Sequence, residues 1–588
     1  MRVLAIFVFA LAFAAPVAAG APPADGAALF ATRCAACHRA GSETRAPLPA
    51  VLKQLSREAM LKALTTGSMK EQGSQLSDEE QTAVVAFAAS SVDASAATSN
   101  ACPAPMPKLS KLAGWQGWSP SPGNTRYLPV TLDPNRLKLA WAFGHADSSV
   151  AIGQPSVADG VVFIGGQKGN VRALDSRTGC EYWQFSADAS VRTSVLLHRG
   201  LALFGDVKAN VYGIDAQTGK PVWKVKLDPH PYARVTGTPA LHDGRLYVPI
   251  SSIEEVPAGN PKYPCCTFRG SVVALDPSDG RQLWQHFLIP EAPQPTTKNS
   301  AGTQLYGPAG AAIWLTPTID PARKLLYVGT GNSYTDPPSP HSDAIVAIDL
   351  ATGARKWQQQ LTPNDRWNMA CVSPLKANCP PEAGGDYDFG ASPLLVGKLL
   401  IAGQKSGIVH ALDPDQAGKI VWQTRVGKGG ALGGVEFGIG ADARAVYVPV
   451  SDFDGRNPTA GGGLYALQTG TGEKLWHTPA PELPCKGTPA CNAAQMAPPT
   501  ILQNIVFSGS MDGHLRAYDS KTGAIVWDFD TLRPFETVNG VPAKGGALNS
   551  TGPVIVGTGG PGTMLFIQSG YGALGGMPGN ALLAFRVE

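Results

Sequence analysis

Two cysteines and a histidine near the start of the sequence stand at a spacing that can bind a cofactor, in the run Cys34-Ala35-Ala36-Cys37-His38. A C-x-x-C-H run is the attachment signature of haem c, because its two thiols add to the haem vinyl groups and its imidazole binds the iron. A zinc site or a thioredoxin-like pair would not need the histidine. The run therefore predicts one covalent haem c, with His38 as an iron ligand.

The first residues predict export. Arg2 gives a short positive region, residues 3–15 are almost all apolar, and small residues at 17–19 precede a cleavage site. We expect residues 1–19 to be a signal peptide, and a retained membrane anchor is the alternative. No later stretch is long and apolar enough to span a membrane. The mature protein is thus expected in the periplasm, where disulfides can form.

The other eight cysteines are even in number, as a disulfide-bonded protein requires. The pairings that their positions suggest are Cys371–Cys379, Cys485–Cys491, the adjacent Cys265–Cys266 and, by elimination, Cys102–Cys180. Connectivity does not follow from sequence alone, so Cys265 and Cys266 could each bond elsewhere.

The composition favours strands and tight turns. Glycine and proline account for 67 and 50 of the 588 residues, and 16% of residues are charged, against roughly 25% in ordinary globular chains. A hydrophobic share of 44% excludes a disordered chain. The net charge of +3 offers no field for binding nucleic acid. We expect a large, mainly β protein.

One hairpin-like phrase recurs seven times within residues 108–588. Its first copy, at 169–183, contains an A-L-D strand, a T-G turn and a second strand that ends in tryptophan. The other copies are at 209–223, 270–284, 343–357, 407–422, 462–476 and 513–527. Such repetition of a short β unit predicts a β-propeller. Residues 580–585 restart the phrase and residues 137–143 would complete that blade, which makes eight blades.

A small helical domain is expected over residues 24–92, ahead of the propeller. One helix is predicted at 56–64. A second, ending near residue 89, begins with Ser77 as N-cap and Glu80 as the partner in a capping box.

The short helices around the C-x-x-C-H run resemble a class I cytochrome c domain. In that family a methionine in the loop before the last helix is the second iron ligand, which implies Met69 here. Met60 is the alternative, but it lies within a predicted helix. Residues 93–107 are rich in alanine, serine, threonine and proline, and we interpret them as a linker.

The repeated phrase A-x-D-x-x-T-G-x-x-x-W closely resembles the blade motif of the pyrroloquinoline quinone (PQQ) dehydrogenases, in which the tryptophans dock neighbouring blades. The resemblance implies PQQ as cofactor, a bound metal ion and the oxidation of an alcohol. Outer-membrane assembly proteins have the same propeller and bind no quinone. The residues of the site must therefore decide between catalysis and binding.

Segments ahead of the third and fourth repeats resemble those that hold the family's metal ion. The run Ser251-Ser252-Ile253-Glu254-Glu255 implies Glu255 as a ligand, with Glu254 as the alternative. The run Tyr327-Val328-Gly329-Thr330-Gly331-Asn332 is similar to the family's Y-x-G-T-G-N and implies Asn332 as a second ligand.

The segment Asp386-Tyr387-Asp388, ahead of the fifth repeat, resembles the stretch with the family's catalytic aspartate. The match implies Asp386 as general base and metal ligand. Asp388 stays possible as the base, because Gly385 stands where the family usually has tryptophan. Lanthanide-using relatives carry a second aspartate two positions after the base. Since some calcium enzymes share that spacing, calcium is the expected ion.

The resemblance also implies contacts with PQQ. Lys405 matches the basic residue at the quinone oxygens, Arg192 and Thr238 could reach its carboxylates, and Tyr306 falls where an aromatic ring, usually tryptophan, lies under the quinone. Relatives cap one face of PQQ with a vicinal disulfide, as Cys265–Cys266 would form. In methanol dehydrogenases that disulfide comes one blade earlier.

These residue types suit the implied chemistry. A hard divalent cation binds carboxylate and carbonyl oxygens, and it can polarise the C5 carbonyl of PQQ as a Lewis acid. A nearby carboxylate can remove the proton of the alcohol as general base, while hydride passes to the quinone.

The order of the domains indicates which group of PQQ dehydrogenases the chain resembles. Common quinohaemoprotein alcohol dehydrogenases carry the cytochrome after the propeller, whereas this chain carries it before. With the C-C-T-F-R-G segment, this order resembles the polyvinyl alcohol dehydrogenase family. That family oxidises secondary hydroxyls of a polymer to ketones and passes electrons to haem c, and from there to a soluble or membrane-associated acceptor. The alternatives are a PQQ dehydrogenase for small alcohols or sugars, and a non-catalytic binding propeller fused to a cytochrome.

Overall fold

The computed structural model describes residues 24–39, 46–47, 49–52, 57–88, 100–146 and 148–588. The expected signal peptide, residues 1–19, lies outside the described residues, as do residues 93–99 of the expected linker. Within the described ranges, the helices are all too short or too polar to cross a membrane.

The N-terminal part of the chain is helical, as predicted. Its helices are Gly26–Leu29, the π-helical turn Phe30–Cys34, Pro49–Leu52, Arg57–Thr65, Lys70–Gly73 and Asp78–Ala88. Their apolar faces share one small core that contains Phe30, Met60 and Val84. The predicted capping box is confirmed: the Ser77 N–H donates to Glu80 Oε2 at 2.8 Å, and the Glu80 N–H donates to Ser77 Oγ at 3.2 Å.

Eight antiparallel four-stranded blades make up the rest of the described chain. Blade 1 has strands Ser156–Ala158, Val161–Gly165, Asn170–Asp175 and Glu181–Ser186, with Gly114–Trp115 beside the first. Blade 2 has Leu196–His198, Leu201–Gly205, Asn210–Asp215 and Pro221–Lys226. Blade 3 has Ala240–His242, Arg245–Ser252, Ser271–Leu275 and Gln282–Phe287, with Ala233–Arg234 beside the second. Blade 4 has Thr318–Asp320, Leu325–Gly329, Ala344–Asp349 and Arg355–Gln360.

Blade 5 has Leu394–Val396, Leu399–Gly403, Ile408–Asp413 and Lys419–Arg425. Blade 6 has Gly440–Ala441, Ala445–Val450, Gly463–Gln468 and Lys474–Thr478. Blade 7 has Thr500–Ile501, Ile505–Gly509, His514–Asp519 and Ile525–Asp530. Blade 8 has Val554–Val556, Met564–Ser569, Ala581–Val587 and Leu137–Gly144. Two hairpins, Gln294–Lys298 with Gln304–Gly307 and Pro534–Phe535 with Ala543–Lys544, lie between blades. Short 3₁₀ turns are at Pro134–Arg136, Pro257–Gly259, Met369–Val372 and Pro414–Gln416.

The ring closes as the sequence predicts. The early strand Leu137–Gly144 pairs with the last strand, Ala581–Val587, from Leu137 opposite Val587 to Gly144 opposite Ala581. Eight apolar clusters each join one blade to the next. Because neighbours cover both faces of a blade, central strands such as Val161–Gly165 are buried at every position. The predicted eight-bladed propeller with a split last blade is confirmed.

The T-G turn and the tryptophan of the repeat form the contact between blades. Gly219 of blade 2 has φ of 72°, and a Cβ added there would lie 2.8 Å from the Trp183 ring of blade 1. Trp183 Nε1 also donates to the carbonyl oxygen of Ala216 at 3.1 Å. The same glycine–tryptophan contact recurs at Gly179, Gly280, Gly353, Gly418, Gly472 and Gly523. Glycine is required here both for its left-handed backbone and for the close indole.

Replacing Trp183 by alanine is therefore expected to lower the free energy of unfolding of the propeller by about 3–5 kcal/mol, because the indole is buried and the glycine turn cannot fill its space. The matched control is Gln184→Ala, an exposed position on the same strand, with an expected change within about 0.5 kcal/mol. Urea unfolding followed by tryptophan fluorescence measures both variants. Equal effects of the two substitutions would refute the docking role.

All four predicted disulfides are present: Cys102–Cys180, Cys265–Cys266, Cys371–Cys379 and Cys485–Cys491. The first of them fixes the chain to blade 1 within the expected linker segment. Asn100 Nδ2 donates to the Gly179 carbonyl at 2.9 Å, and the Cys102 N–H donates to the Glu181 carbonyl at 3.0 Å. From residue 100 onwards, the expected linker thus lies against the propeller.

Candidate active site

Two carboxylates share one ammonium group where blades 4 and 5 meet. Lys405 Nζ lies 3.0 Å from Asp388 Oδ2 and 3.4 Å from Asp386 Oδ2. The backbone N–H of Asn332 donates to Asp388 Oδ1 at 2.7 Å. All four residues are buried. The fold therefore brings together four predicted site residues that are up to 73 positions apart, Asn332 to Lys405.

Loops at the ends of strands hold these side chains. Asn332 follows the second strand of blade 4, Asp386 precedes the first strand of blade 5, and Lys405 follows the second strand of blade 5. Asp386 has φ of 59°, a left-handed conformation that aspartate and asparagine tolerate better than most residues. Gly331 is also required, since a Cβ there would lie 2.8 Å from Asp388 Oδ1.

Two further buried carboxyl groups, which the motifs did not indicate, lie close enough to this pair to interact with its charges. Asp365 Oδ2 accepts the Tyr387 N–H at 2.6 Å, and burial together with the Asp388 carboxylate raises the pKa of Asp365. Asp343 is fully buried, and burial and its acidic neighbours raise its pKa well above the ordinary value. The sequence did contain one signal for Asp343, which stands at the repeat position that is glycine in five of the other six copies.

The two glutamates of blade 3 differ in their surroundings. Glu254 is fully buried and accepts the Tyr263 hydroxyl at 2.8 Å and the N–H groups of residues 267–268 at 2.8–3.0 Å. Although burial alone would raise it, the pKa of Glu254 lies below its ordinary value because His230 and these N–H groups stabilise the carboxylate. Glu254 thus anchors the loop. This arrangement favours Glu255 as the metal ligand.

The predicted metal ligands would supply the donor atoms that a hard cation prefers. Asn332 Nδ2 donates to the Trp367 carbonyl at 3.0 Å, which leaves its amide oxygen for a metal. Glu255, Asn332 and Asp386 then offer oxygen atoms only, as calcium and the lanthanides prefer. In the described part of the chain, no three His, Cys, Asp or Glu side chains gather into a metal cluster. A set of two carboxylates and an amide is consistent with that finding.

Two of the expected quinone contacts, Arg192 and Thr238, line a narrow cavity in the propeller. The cavity has a volume of about 30 Å³, and its walls include Arg192, Thr238, Trp314, Thr316 and Ser550. The hydroxyls of Thr316 and Ser550 are buried without a hydrogen-bond partner among the described residues. Guanidinium, hydroxyl and indole groups are the types of group that a planar tricarboxylate such as PQQ would contact, so the chemistry of the lining suits it.

Two arginines are available for quinone carboxylates. Arg192 Nη2 donates to the Tyr571 hydroxyl at 2.8 Å. Arg234, which sequence reasoning missed, is half-buried, and its partial burial and the positive charge of Arg192 lower its pKa to about 10. Thr238 accepts the Ser194 N–H at 2.9 Å and so joins blades 2 and 3 at the same place.

The ring of Trp314 lies beside the ammonium group of Lys405, whereas Tyr306 lies elsewhere. Lys405 Nζ lies 5.3 Å from the centre of the Trp314 ring, and the Phe437 ring packs edge-on against that ring at 5.8 Å. Tyr306 lies in the hairpin after blade 3, where its N–H donates to the Cys265 carbonyl at 2.8 Å. The geometry therefore favours Trp314 for the aromatic place under the quinone. The vicinal Cys265–Cys266 pair is fully buried, and its contact with PQQ stays a prediction.

The C-x-x-C-H run has the surroundings that a haem ligand needs. His38 Nδ1 lies 2.7 Å from the carbonyl oxygen of Pro47, a partner that the motif did not indicate, and this contact leaves Nε2 for iron. Burial lowers the pKa of His38, so the imidazole is neutral and able to ligate at pH 7. Cys34 and Cys37 belong to none of the four disulfides. These residues fit a covalent haem.

The two candidate methionine ligands, Met60 and Met69, also differ in their surroundings. Met60 is buried in the core of the helical part, whereas Met69 is half-buried and immediately precedes the helix Lys70–Gly73. A methionine that belongs to the core cannot leave it for iron without a cavity. The arrangement favours Met69, as predicted.

Family models match three parts of the chain. Residues 115–375 match the model described as glucose/ethanol/alcohol dehydrogenase, beta-propeller domain. Residues 21–87 match the model of cytochrome c oxidase, cbb3-type, subunit III. Residues 405–571 match that of the outer membrane protein assembly factor BamB, and this stretch contains only Lys405 of the predicted site residues.

Solved structures show the same fold. The quinohemoprotein alcohol dehydrogenase of Comamonas testosteroni has a TM-score of 0.60 at 18% identity, covering 82% of this chain and 81% of that one. A europium-containing methanol dehydrogenase also has a TM-score of 0.60, at 17% identity, covering 81% and 98%. The fold and the matched domains together describe a propeller of the alcohol dehydrogenase type that is joined to a cytochrome c domain.

Relatives that match over nearly their whole length identify the family of this chain. The chain is 38% identical to a polyvinylalcohol dehydrogenase of Pseudomonas sp, over 96% of this chain and 94% of that protein. It is also 38% identical to the enzyme of that name from Sphingopyxis sp. (strain 113P3), over 98% and 95%. The chain therefore belongs to the polyvinyl alcohol dehydrogenase family. The resemblance seen in the sequence is confirmed, and the non-catalytic propeller is excluded.

Proposed function

We propose that this enzyme oxidises secondary hydroxyl groups of polyvinyl alcohol to ketones in the periplasm and passes the electrons through haem c to a soluble or membrane-associated acceptor. The observation that carries the proposal is the buried pair Asp386 and Asp388 on Lys405, beside Asn332, in a chain of this family. A buried carboxylate held by one ammonium group is a suitable base for an alcohol proton.

Oxidation of a secondary alcohol removes a proton from oxygen and a hydride from carbon. When bound, PQQ supplies the hydride acceptor and a divalent cation supplies a Lewis acid. Asp386 takes the hydroxyl proton. Asp388, whose two oxygens accept from Asn332 and Lys405, positions the ammonium group. Lys405 offsets the charge of two carboxylates that burial would otherwise destabilise.

The substrate class rests on the whole-length relatives, which are named for the polymer. Purified holoenzyme is mixed with polyvinyl alcohol, 2,4-pentanediol (two repeat units of the polymer), 2-propanol or glucose, and the haem is followed at its reduced α-band. We expect the polymer to reduce the haem, and the diol to do so with a lower kcat/KM. Reduction by 2-propanol or glucose but not by the polymer would assign the enzyme to small alcohols or sugars instead.

The metal proposal predicts the effect of chelation. Glu255, Asn332 and Asp386 would hold the ion, and without it alcohol-dependent haem reduction is expected to fall at least tenfold while the haem stays attached. EDTA treatment, gel filtration and readdition of Ca²⁺ or La³⁺ measure this. Recovery with Ca²⁺ supports calcium, and recovery only with La³⁺ supports a lanthanide. Full activity after EDTA, with no metal detected by mass spectrometry, would refute the site.

The periplasmic location is supported by the expected signal peptide and by four disulfides in the described chain. Covalent haem attachment to Cys34 and Cys37 requires the same export. Fractionation of producing cells tests the location, and haem-containing enzyme confined to the cytoplasmic fraction would contradict it.

A further inference from the structure

The helical part touches blade 3 at the segment that follows Glu254 and Glu255. Asn260 Nδ2 donates to Glu71 Oε2 at 3.3 Å. Tyr232 lies at the same carboxylate: burial raises the pKa of its phenol, and Glu71 and Glu254 raise it further. The phenol thus stays protonated and can donate to Glu71. An exposed ion pair, Lys168 with Glu58 at 3.7 Å, adds a weak second contact.

Both residues of this contact are close in sequence to residues that we expect to bind a redox cofactor or its metal ion. Glu71 is two residues after Met69, the proposed iron ligand. Asn260 belongs to the segment that begins with Glu254 and Glu255 and ends with the vicinal cysteines. The contact therefore connects the methionine side of the haem to the blade that contributes the metal ligand.

On the propeller side of the contact, the loop that contains Asn260 is held in place by hydrogen bonds, and we call it the platform. Asn378 Nδ2 donates to the carbonyls of Ala258, Asn260 and Tyr263 at 2.9–3.2 Å, and Asn378 is itself buried. Asn260 Oδ1 accepts the Lys262 N–H at 2.9 Å, which orients the amide with its donor toward Glu71. A platform held in this way loses little entropy when the helical part rests on it.

A continuous set of polar and aromatic groups leads inward from Glu71. The rings of Tyr232 and Tyr263 meet edge to face with centres 5.8 Å apart. The Tyr263 hydroxyl donates to Glu254 at 2.8 Å, and its carbonyl accepts the Cys265 N–H at 2.9 Å. The two rings thus link the Glu71 carboxylate to the loop that contains Glu254 and Glu255.

We propose that Glu71, held by Asn260 and Tyr232, docks the cytochrome with its methionine side on blade 3, and that electrons from the quinone reach the haem across this contact. The inference rests on the proposed function and adds the docking surface to it. Asn260 and Tyr232 are positioning residues: they hold the donor and acceptor close and touch neither substrate nor iron.

The test uses the full-length holoenzyme and two readouts. Stopped-flow spectroscopy follows haem reduction after mixing with polyvinyl alcohol. In parallel, phenazine ethosulfate with dichlorophenolindophenol takes electrons from the reduced quinone without the haem. Asn260→Asp keeps the acceptor for the Lys262 N–H but places a second carboxylate against Glu71. We expect it to slow haem reduction at least tenfold and to leave dye reduction within twofold of the wild type.

A double variant in which the amide and the carboxylate exchange places distinguishes loss of docking from damage to the loop. Glu71→Gln with Asn260→Asp restores an amide-to-carboxylate hydrogen bond in the reverse direction, and we expect haem reduction to return to within threefold of the wild-type rate. Tyr232→Phe should slow haem reduction several-fold, and Glu79→Ala, an exposed acid on another helix, should have no effect.

An unchanged haem reduction rate in Asn260→Asp, or a slow rate that the double variant fails to restore, would overturn the docking proposal. If the wild type shows no alcohol-dependent dye reduction, the proposed function itself is overturned, since that readout does not involve the haem. The two failures are thus distinguishable.

Discussion

The Asp386→Asn enzyme is expected to oxidise alcohol about 10²–10⁴-fold more slowly than the wild type while it keeps PQQ and haem. Asparagine has nearly the same shape and accepts the left-handed backbone of this position, at φ of 59°, but it cannot take a proton. Lys405 retains Asp388 as its partner at 3.0 Å, so no buried ammonium group is left alone. Single-turnover haem reduction with polyvinyl alcohol measures the loss, and extraction of PQQ checks that the cofactor remains.

The matched control is Asp388→Asn. Both oxygens of Asp388 accept hydrogen bonds, from the Asn332 N–H at 2.7 Å and from Lys405 Nζ at 3.0 Å. Its substitution should disturb the position of Lys405 and cost less than the loss of the base. If Asp388→Asn is the inactive variant and Asp386→Asn keeps more than a tenth of the wild-type rate, then Asp388 is the base.

Replacing Cys34 and Cys37 together by alanine is expected to abolish covalent haem and the haem-coupled activity. Thioether bonds to these two sulfurs are the attachment that the C-x-x-C-H run provides. The propeller folds on its own apolar clusters, so alcohol-dependent dye reduction should stay within twofold of the wild type. The measurements are peroxidase staining for haem on a denaturing gel and the dye assay.

The matched control for that variant is another closely spaced pair, Cys485→Ala with Cys491→Ala, which removes a disulfide of the propeller and leaves the haem run intact. It should keep full haem staining. Covalent haem in the Cys34/Cys37 variant would contradict the assignment, and so would normal reduction of the haem by substrate.

The propeller was predictable because its signals are local and repeated. Each T-G turn and tryptophan lie within one hairpin, and seven copies together exclude chance. The closing pair of strands, 137–144 and 581–587, was recognisable because the last strand restarts the phrase. The capping box of the last cytochrome helix was equally local, since Ser77 and Glu80 are three residues apart.

The site was predictable only where it carries a motif. Asn332, Asp386, Asp388 and Lys405 stand in such segments, and the fold brings them together. Trp314 escaped notice because loop paths decide which ring meets Lys405.

Other contacts depend on the three-dimensional structure alone. Pro47 reaches His38 from a loop, and Asp365 reaches the backbone of residue 387 across 22 positions. The contact of Glu71 with Asn260 joins groups 189 residues apart, a separation at which sequence spacing predicts nothing. Such pairs are set by tertiary packing, and no local pattern encodes them.

The central claim is that alcohol electrons reach the haem through PQQ, and one measurement tests it most directly. Enzyme prepared without PQQ, and then supplied with PQQ and Ca²⁺, is mixed with polyvinyl alcohol while the haem spectrum is recorded. We expect an oxidised spectrum without PQQ and rapid appearance of the reduced α-band once PQQ is bound. Haem reduction that is the same with and without PQQ, or none after PQQ has bound, would contradict it.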